Sequence, residues 1–290
     1  MADISARITR KSLAAKRRAA VKTIKQQAKE KIREVQIEYN TNPERLKAKA
    51  QEKELRQQLR LQRANARLAY NSRHPREFSL GEDLFNSISH GIGAGLSVAA
   101  IVLLVVRAVS HAPEGNIPVS TYVSSFAVFG ASLFVLYMFS TLYHAVTPYL
   151  ARKIFSVLNH DAVYFLIGGT ATPYLLTKAP GSPGLVAFII LWSLCAALIV
   201  LYSVFGAHMR AFSVFTYFVL GWVYILAFVF YPLGTTLPAV SEALLLAGGL
   251  AYTAGGVFFL MRKIKWTHSI FHLFVLAGSI LHFFSVFYSV

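Results

Sequence analysis

Seven uninterrupted apolar runs, each long enough to cross a bilayer, constrain this chain more than any other feature. They fall at roughly 88–110, 119–144, 154–177, 184–207, 211–231, 237–261 and 267–289. A helix needs ~20 predominantly apolar residues to cross the hydrocarbon core of a membrane. The runs are continuous and too long for strands, and no period-two alternation competes with them. The expected fold is an all-α integral membrane protein, a seven-transmembrane helix bundle over residues 81–290, set in the plasma membrane.

Charge is kept apart from these runs. The formal net charge is +16, although 55% of the 290 residues are hydrophobic. Residues 1–80 hold 21 of the 29 Lys/Arg and 8 of the 13 Asp/Glu, a surplus of +13 that leaves only +3 for the remainder. A basic soluble extension therefore precedes the membrane domain. The first long apolar run begins only near Ile88, so no secretory signal is expected. Glu30, Glu34 and Glu38 argue against a mitochondrial presequence, which is poor in acids. The lone Cys195 excludes a disulfide within the chain and a thiolate metal cluster, so any metal site must use His, Asp, Glu or Asn.

Within the extension, Val21, Ile24, Ala28, Ile32, Val35 and Tyr39 step by three and four and form a narrow helical stripe among Lys, Arg and Gln. Thr41-Asn42-Pro43 breaks and restarts the helix, with Asn42 as N-cap and Pro43 at the first helical position. A more polar second helix runs to about Tyr70, and Pro75 ends the region. The two helices can form a solvated hairpin or coiled-coil arm. The segment can also attach to anionic lipid headgroups, because a polybasic stretch is attracted to such a surface. Nucleic acid is not expected as a partner, since no groove-reading motif or aromatic interleaving accompanies the charge.

Orientation follows from Lys and Arg in the short loops. Arg152 and Lys153 follow the second run, Arg210 the fourth, and Arg262, Lys263 and Lys265 the sixth, whereas the alternate loops offer only Lys178. This bias puts the N-terminus and residues 1–80 in the cytoplasm and the C-terminus outside.

With the orientation fixed, polar residues inside the runs share one depth. His268 and His272 enter the seventh run four residues apart, on one helix face. Ser140 and His144 end the second run on the same side. Asn159, His160 and Asp161 lie about two turns into the third, and Glu82, Asp83, Asn86, Ser89 and His90 mark the entry of the first. Ionisable residues in a membrane span point to function. His144, His268 and His272 form the candidate metal set. Three neutral imidazoles with an open fourth position are a catalytic zinc arrangement, in which the metal acidifies a water. Ser140 is placed to fix a ring tautomer in such a site. His282 lies ~15 Å beyond His272 along the helix and reads as a core hydrogen-bonding residue. His74, His111 and His208 share no layer with the others.

The phrases Glu82…Asn86…Ser89-His90, Ser140-Thr-Leu-Tyr-His144 and His268-Ser-Ile-Phe-His272-Leu-Phe-Val-Leu-Ala-Gly-Ser resemble the hemolysin III proteins, the bacterial branch of the progestin and adipoQ receptor family. Asp161-Ala-Val-Tyr-Phe-Leu-Ile-Gly-Gly-Thr-Ala-Thr-Pro173 is similar to that family's third span. The resemblance covers about residues 80–290. It implies seven transmembrane helices and a zinc ion near the cytoplasmic face, held by His144, His268 and His272, with Ser140 beside the metal. Its superfamily includes alkaline ceramidases, which implies a lipid amide hydrolase; the family name implies cytolysis. The family's third span begins Leu-Asp, with the aspartate beside the water on the zinc, whereas this chain reads Leu158-Asn159. Asp161 is two residues on, ~200° around an ideal helix. Either the helix is distorted so that Asp161 reaches the site, or the site lacks its usual base. In the second case the zinc acts as a non-catalytic staple in a protein that senses lipid or modulates membrane energetics.

Overall fold

The computed structural model describes residues 2–39, 43–73, 77–179, 182–230, 237–261 and 263–290. Asn42, His74, Pro75 and Arg262, singled out above, lie outside these residues. The chain divides into two units, Met1–Arg76 and Glu77–Val290.

The first unit holds two long helices, α1 (Ala2–Glu38) and α2 (Pro43–Arg73). Their apolar side chains stay outside any core: Ile24, Ile32 and Val35 of α1 and Leu55 and Leu61 of α2 are each more than half exposed. With so little to bury, propensity and solvated charge must carry these helices.

Among the described residues the second unit holds seven α-helices: α3 (Leu80–His111), α4 (Val119–Ala145), α5 (Tyr149–Thr177), α6 (Ser182–Phe205), α7 (Arg210–Phe230), α8 (Ala239–Leu260) and α9 (Thr267–Phe287). Among the described residues five stretches are long and apolar enough to cross a membrane: Leu80–His111, Val119–Ala145, Ser182–Phe228, Ala239–Leu260 and Thr267–Phe287. The third of these contains both α6 and α7, which are separated by the 3-10 turn Gly206–Met209. Gly206 has φ +55°, the left-handed backbone that glycine adopts without steric cost. No strand occurs among the described residues.

Outward faces are apolar: Val98, Val102 and Val106 of α3, Ile189 and Ile190 of α6 and Phe215 of α7 all stand exposed. A surface this greasy suits hydrocarbon rather than water. Inside, Leu104, Phe126, Phe129, Tyr164, Tyr174 and Leu245 are fully enclosed. Small residues allow the helices to approach closely. A Cβ on Gly248 of α8 would lie 2.1 Å from the His282 ring of α9, and one on Gly169 of α5 would lie 2.3 Å from Ser132 Oγ of α4. Small residues take the same part wherever helices associate without a hydrophobic driving force between them.

One end of the bundle is tied by polar contacts. Ser79 and Glu82 form a capping box at the start of α3. The other Glu82 oxygen accepts the Trp266 N–H at 2.7 Å, where Trp266, with φ 68°, caps α9. Glu77 accepts from the Tyr143 hydroxyl and from Arg210. The starts of α3, α7 and α9 and the end of α4 are thereby drawn together. Helix α5 begins at Tyr149, earlier than the apolar run suggests, so Arg152 belongs to the helix rather than to a loop.

Candidate metal centre

This tied end carries the histidines. His144 comes from the last turn of α4; His268 and His272 come from the first two turns of α9. Each offers a ring nitrogen, and the three donor atoms lie within 4.8 Å of one another. The Nε2 atoms of His268 and His272 face each other at 3.1 Å. Two neutral imidazoles can share one proton in that geometry, or both can turn their lone pairs to a cation. Tetrahedral zinc with Zn–N of ~2.0–2.1 Å separates its nitrogens by roughly 3.3 Å.

Behind His144 stands Asp83 of α3. Its Oδ1 receives the His144 Nδ1–H at 3.0 Å, and Arg152 of α5 donates to both of its oxygens at 2.8 and 2.6 Å. The Asp83 and His144 side chains are 3% and 0% exposed, so the carboxylate is paired out of water. By fixing the proton on Nδ1, Asp83 leaves the His144 Nε2 lone pair open. That atom is buried and finds no partner, as does His272 Nδ1. An orphaned ring nitrogen beside two others, with a carboxylate behind it, fits a metal ligand held by an outer hydrogen bond. The donor set is therefore able to hold a metal ion.

Ser140 is buried one turn before His144, but its hydroxyl reaches across to His90 Nδ1 of α3 at 2.7 Å. The other His90 nitrogen lies 3.3 Å from the His272 carbonyl, and its ring packs 3.8 Å from the His272 ring. His90 and Ser140 thus back the α9 ligands. Phe78 stacks on His268 at 4.4 Å.

Below the histidines, a cavity of about 180 Å³ runs into the bundle and is lined by apolar side chains that include Leu136, Ile167, Trp222, Phe271 and Val275. His90, Ser140, Asn159, His268 and His272 line its upper part, and His282 also borders it. His282 donates its Nε2–H to the Leu245 carbonyl, 3.1 Å away, as a core hydrogen-bonding residue would.

The third run divides as its helical phase requires. Asn159 faces the cavity, whereas Asp161 is absent from its lining and takes the Ser203 hydroxyl of α6 at 2.7 Å. Helix α5 continues unbroken through both residues. His160 turns to Tyr217 of α7 and packs on Tyr202. His111 and His208 are exposed.

Sequence alone placed Arg152 in a loop and Asp83 at the entry of the first run, without pairing them with each other or with His144. A usable signal was present: an acid and a guanidinium at one depth of a membrane bundle must each find a partner.

An apolar-faced helical bundle with three histidines converging at one end defines a multi-pass membrane protein with a candidate metal centre. The chain belongs to the haemolysin-III related family, whose model matches residues 78–283. It is 39% identical over 209 residues to Hemolysin-3 of Bacillus cereus, covering 72% of this chain and 92% of that relative. It is 38% identical over 209 residues to the Hemolysin-3 homolog of Bacillus subtilis (strain 168), covering 72% and 94%. No solved structure matches the chain.

Proposed function

We propose that this protein is a zinc-dependent hydrolase of lipid amides or esters, working from within the plasma membrane. The observation that carries the reading is that two of the three clustered histidines, His268 and His272, line an apolar cavity. A lipid headgroup meets the imidazoles there while its acyl chain lies among Leu136, Ile167 and Val275. Zinc, when bound, supplies a Lewis acid and an acidified water. Asp83 holds the His144 tautomer, His90 and Ser140 brace α9, and Asn159 offers hydrogen bonds to a water or a carbonyl at the cavity wall. Seven spans accommodate this arrangement, with the N-terminus cytoplasmic and the histidine end facing the cytoplasm, as the Lys and Arg bias supports.

Purified protein loaded with zinc is expected to release free acid from a ceramide-type amide or a glycerolipid ester in a broad lipid panel. His268→Ala is expected to abolish that release together with stoichiometric zinc, read by elemental analysis. Stoichiometric zinc with no turnover across the panel would sink the hydrolase.

A second reading is favoured by Asp161. Its carboxylate is committed to Ser203, and Asn159 cannot accept a proton, so the usual base is missing from α5. Zinc then staples α4 to α9 in a lipid-sensing protein, and chelation lowers thermal stability while no lipid is consumed. The name of the Bacillus relatives carries a third reading, cytolysis; absence of leakage from liposomes holding pure protein would remove it.

A further inference from the structure

Helix α1 lies outside the region matched by the family, and its described side chains are exposed. We propose that it lies along the membrane as an amphipathic strap on anionic lipid headgroups. Val21, Ile24, Ala28, Ile32, Val35 and Tyr39 make one stripe, and the larger of them are 43% to 80% exposed. At ~100° per residue, counted from Val21, this stripe fills an arc from about 300° to about 20°. Arg18, Lys22, Lys25, Lys29 and Arg33 follow at about 40° to 120°, Lys31 borders the other edge of the stripe, and Arg17, one turn before Val21, lies in line with the stripe at about 320°. Glu30, Glu34 and Glu38 sit at about 180° to 260°. The acids therefore turn away from the face that joins the apolar stripe to the basic flank. An anionic surface with hydrocarbon beneath it selects that division, because it attracts the cations, accepts the apolar edge and repels the glutamates.

The spacing fits a flat surface and does not fit a left-handed coiled coil with a second copy. Positions 21, 24 and 28 recur at 32, 35 and 39, a repeat of eleven residues. Eleven residues over three turns drift by only ~20° around a straight helix, so the stripe winds little over the length of α1. A two-stranded left-handed coiled coil asks for a seven-residue repeat instead. Nucleic acid would engage the basic flank alone and leave the apolar stripe in water. The chain also brings its own bilayer close, since α3 begins at Leu80.

The test uses the full chain in nanodiscs of phosphatidylcholine alone or with one part in three phosphatidylglycerol. A fluorophore is attached at Ile24→Cys or Gln27→Cys in a Cys195→Ala background. In anionic discs, an aqueous quencher is expected to reach the label at position 24 several-fold more slowly than the label at 27, with the difference lost in high salt. In neutral discs the two labels are expected to quench alike. Lys25→Gln with Lys29→Gln is expected to lower the ratio of bound to free strap roughly 30-fold at low salt. Equal quenching at both positions in both discs would overturn the proposal in favour of a solvated arm. Protection at position 24 that is lipid-independent and fades on dilution would overturn it in favour of a second copy, and protection only on adding RNA or DNA would overturn it in favour of nucleic acid.

Discussion

Asp83 makes the candidate metal centre depend on a residue that is not itself a ligand. Its carboxylate holds the His144 proton on Nδ1 and is itself held by two Arg152 donors. Outer hydrogen bonds of this kind typically alter metal affinity 10–100-fold. Asp83→Asn is therefore expected to weaken zinc binding by roughly that factor, measured by competition with a chromophoric chelator on folded protein. Asp161→Asn, by contrast, is expected to leave zinc affinity unchanged, because its carboxylate bonds Ser203 on α6; a loss of metal in that variant would show that Asp161 reaches the site. The convergence of His144, His268 and His272 was legible in the chain, since i,i+4 spacing and a shared depth are enough to bring imidazoles together. The partner behind His144 was not, because 61 residues separate Asp83 from it and only the packing of α3 on α4 joins them. Ser140 shows the same limit. Helical spacing put it beside His144, yet its hydroxyl crosses to His90 on another helix.

Whole helices meet through residues that hydropathy does not rank. Helix α5 is absent from the stretches apolar enough to cross a membrane, although 14 of its residues are buried. It carries the exposed Lys153, and also Arg152 and Asp161, which find partners inside the bundle in Asp83 and Ser203. Contact between α8 and α9 rests on the missing side chain of Gly248, which leaves room for the His282 ring. Gly248→Ala places a carbon against that ring and is expected to cost about 1–3 kcal/mol, the usual range for overpacking. Thermal unfolding in detergent would read the change as a lower Tm. If Tm held, α8 and α9 would have to be free to separate at that level. Glu82 acts at the opposite end of α9, where it joins the α3 cap to the Trp266 N–H and sets where the ligand helix begins.

At the scale of the molecule, the proposed seven spans would send the two termini to opposite sides. A cysteine at Glu114, between α3 and α4, and one at Lys265, before α9, are expected to react with an impermeant reagent from opposite faces of sealed vesicles. Labelling of both from one face would remove the seven-span topology. Removing metal with a chelator is expected to lower Tm, because a ligand that binds only the folded state stabilises it by mass action. His144 arrives with α4, but His268 and His272 arrive only with α9, the last helix described. During synthesis the ribosome therefore delivers six helices of this unit before a complete donor set exists. A chain stalled before α9 would carry only His144 of the three, so a complete donor set would report that α9 has been made and inserted.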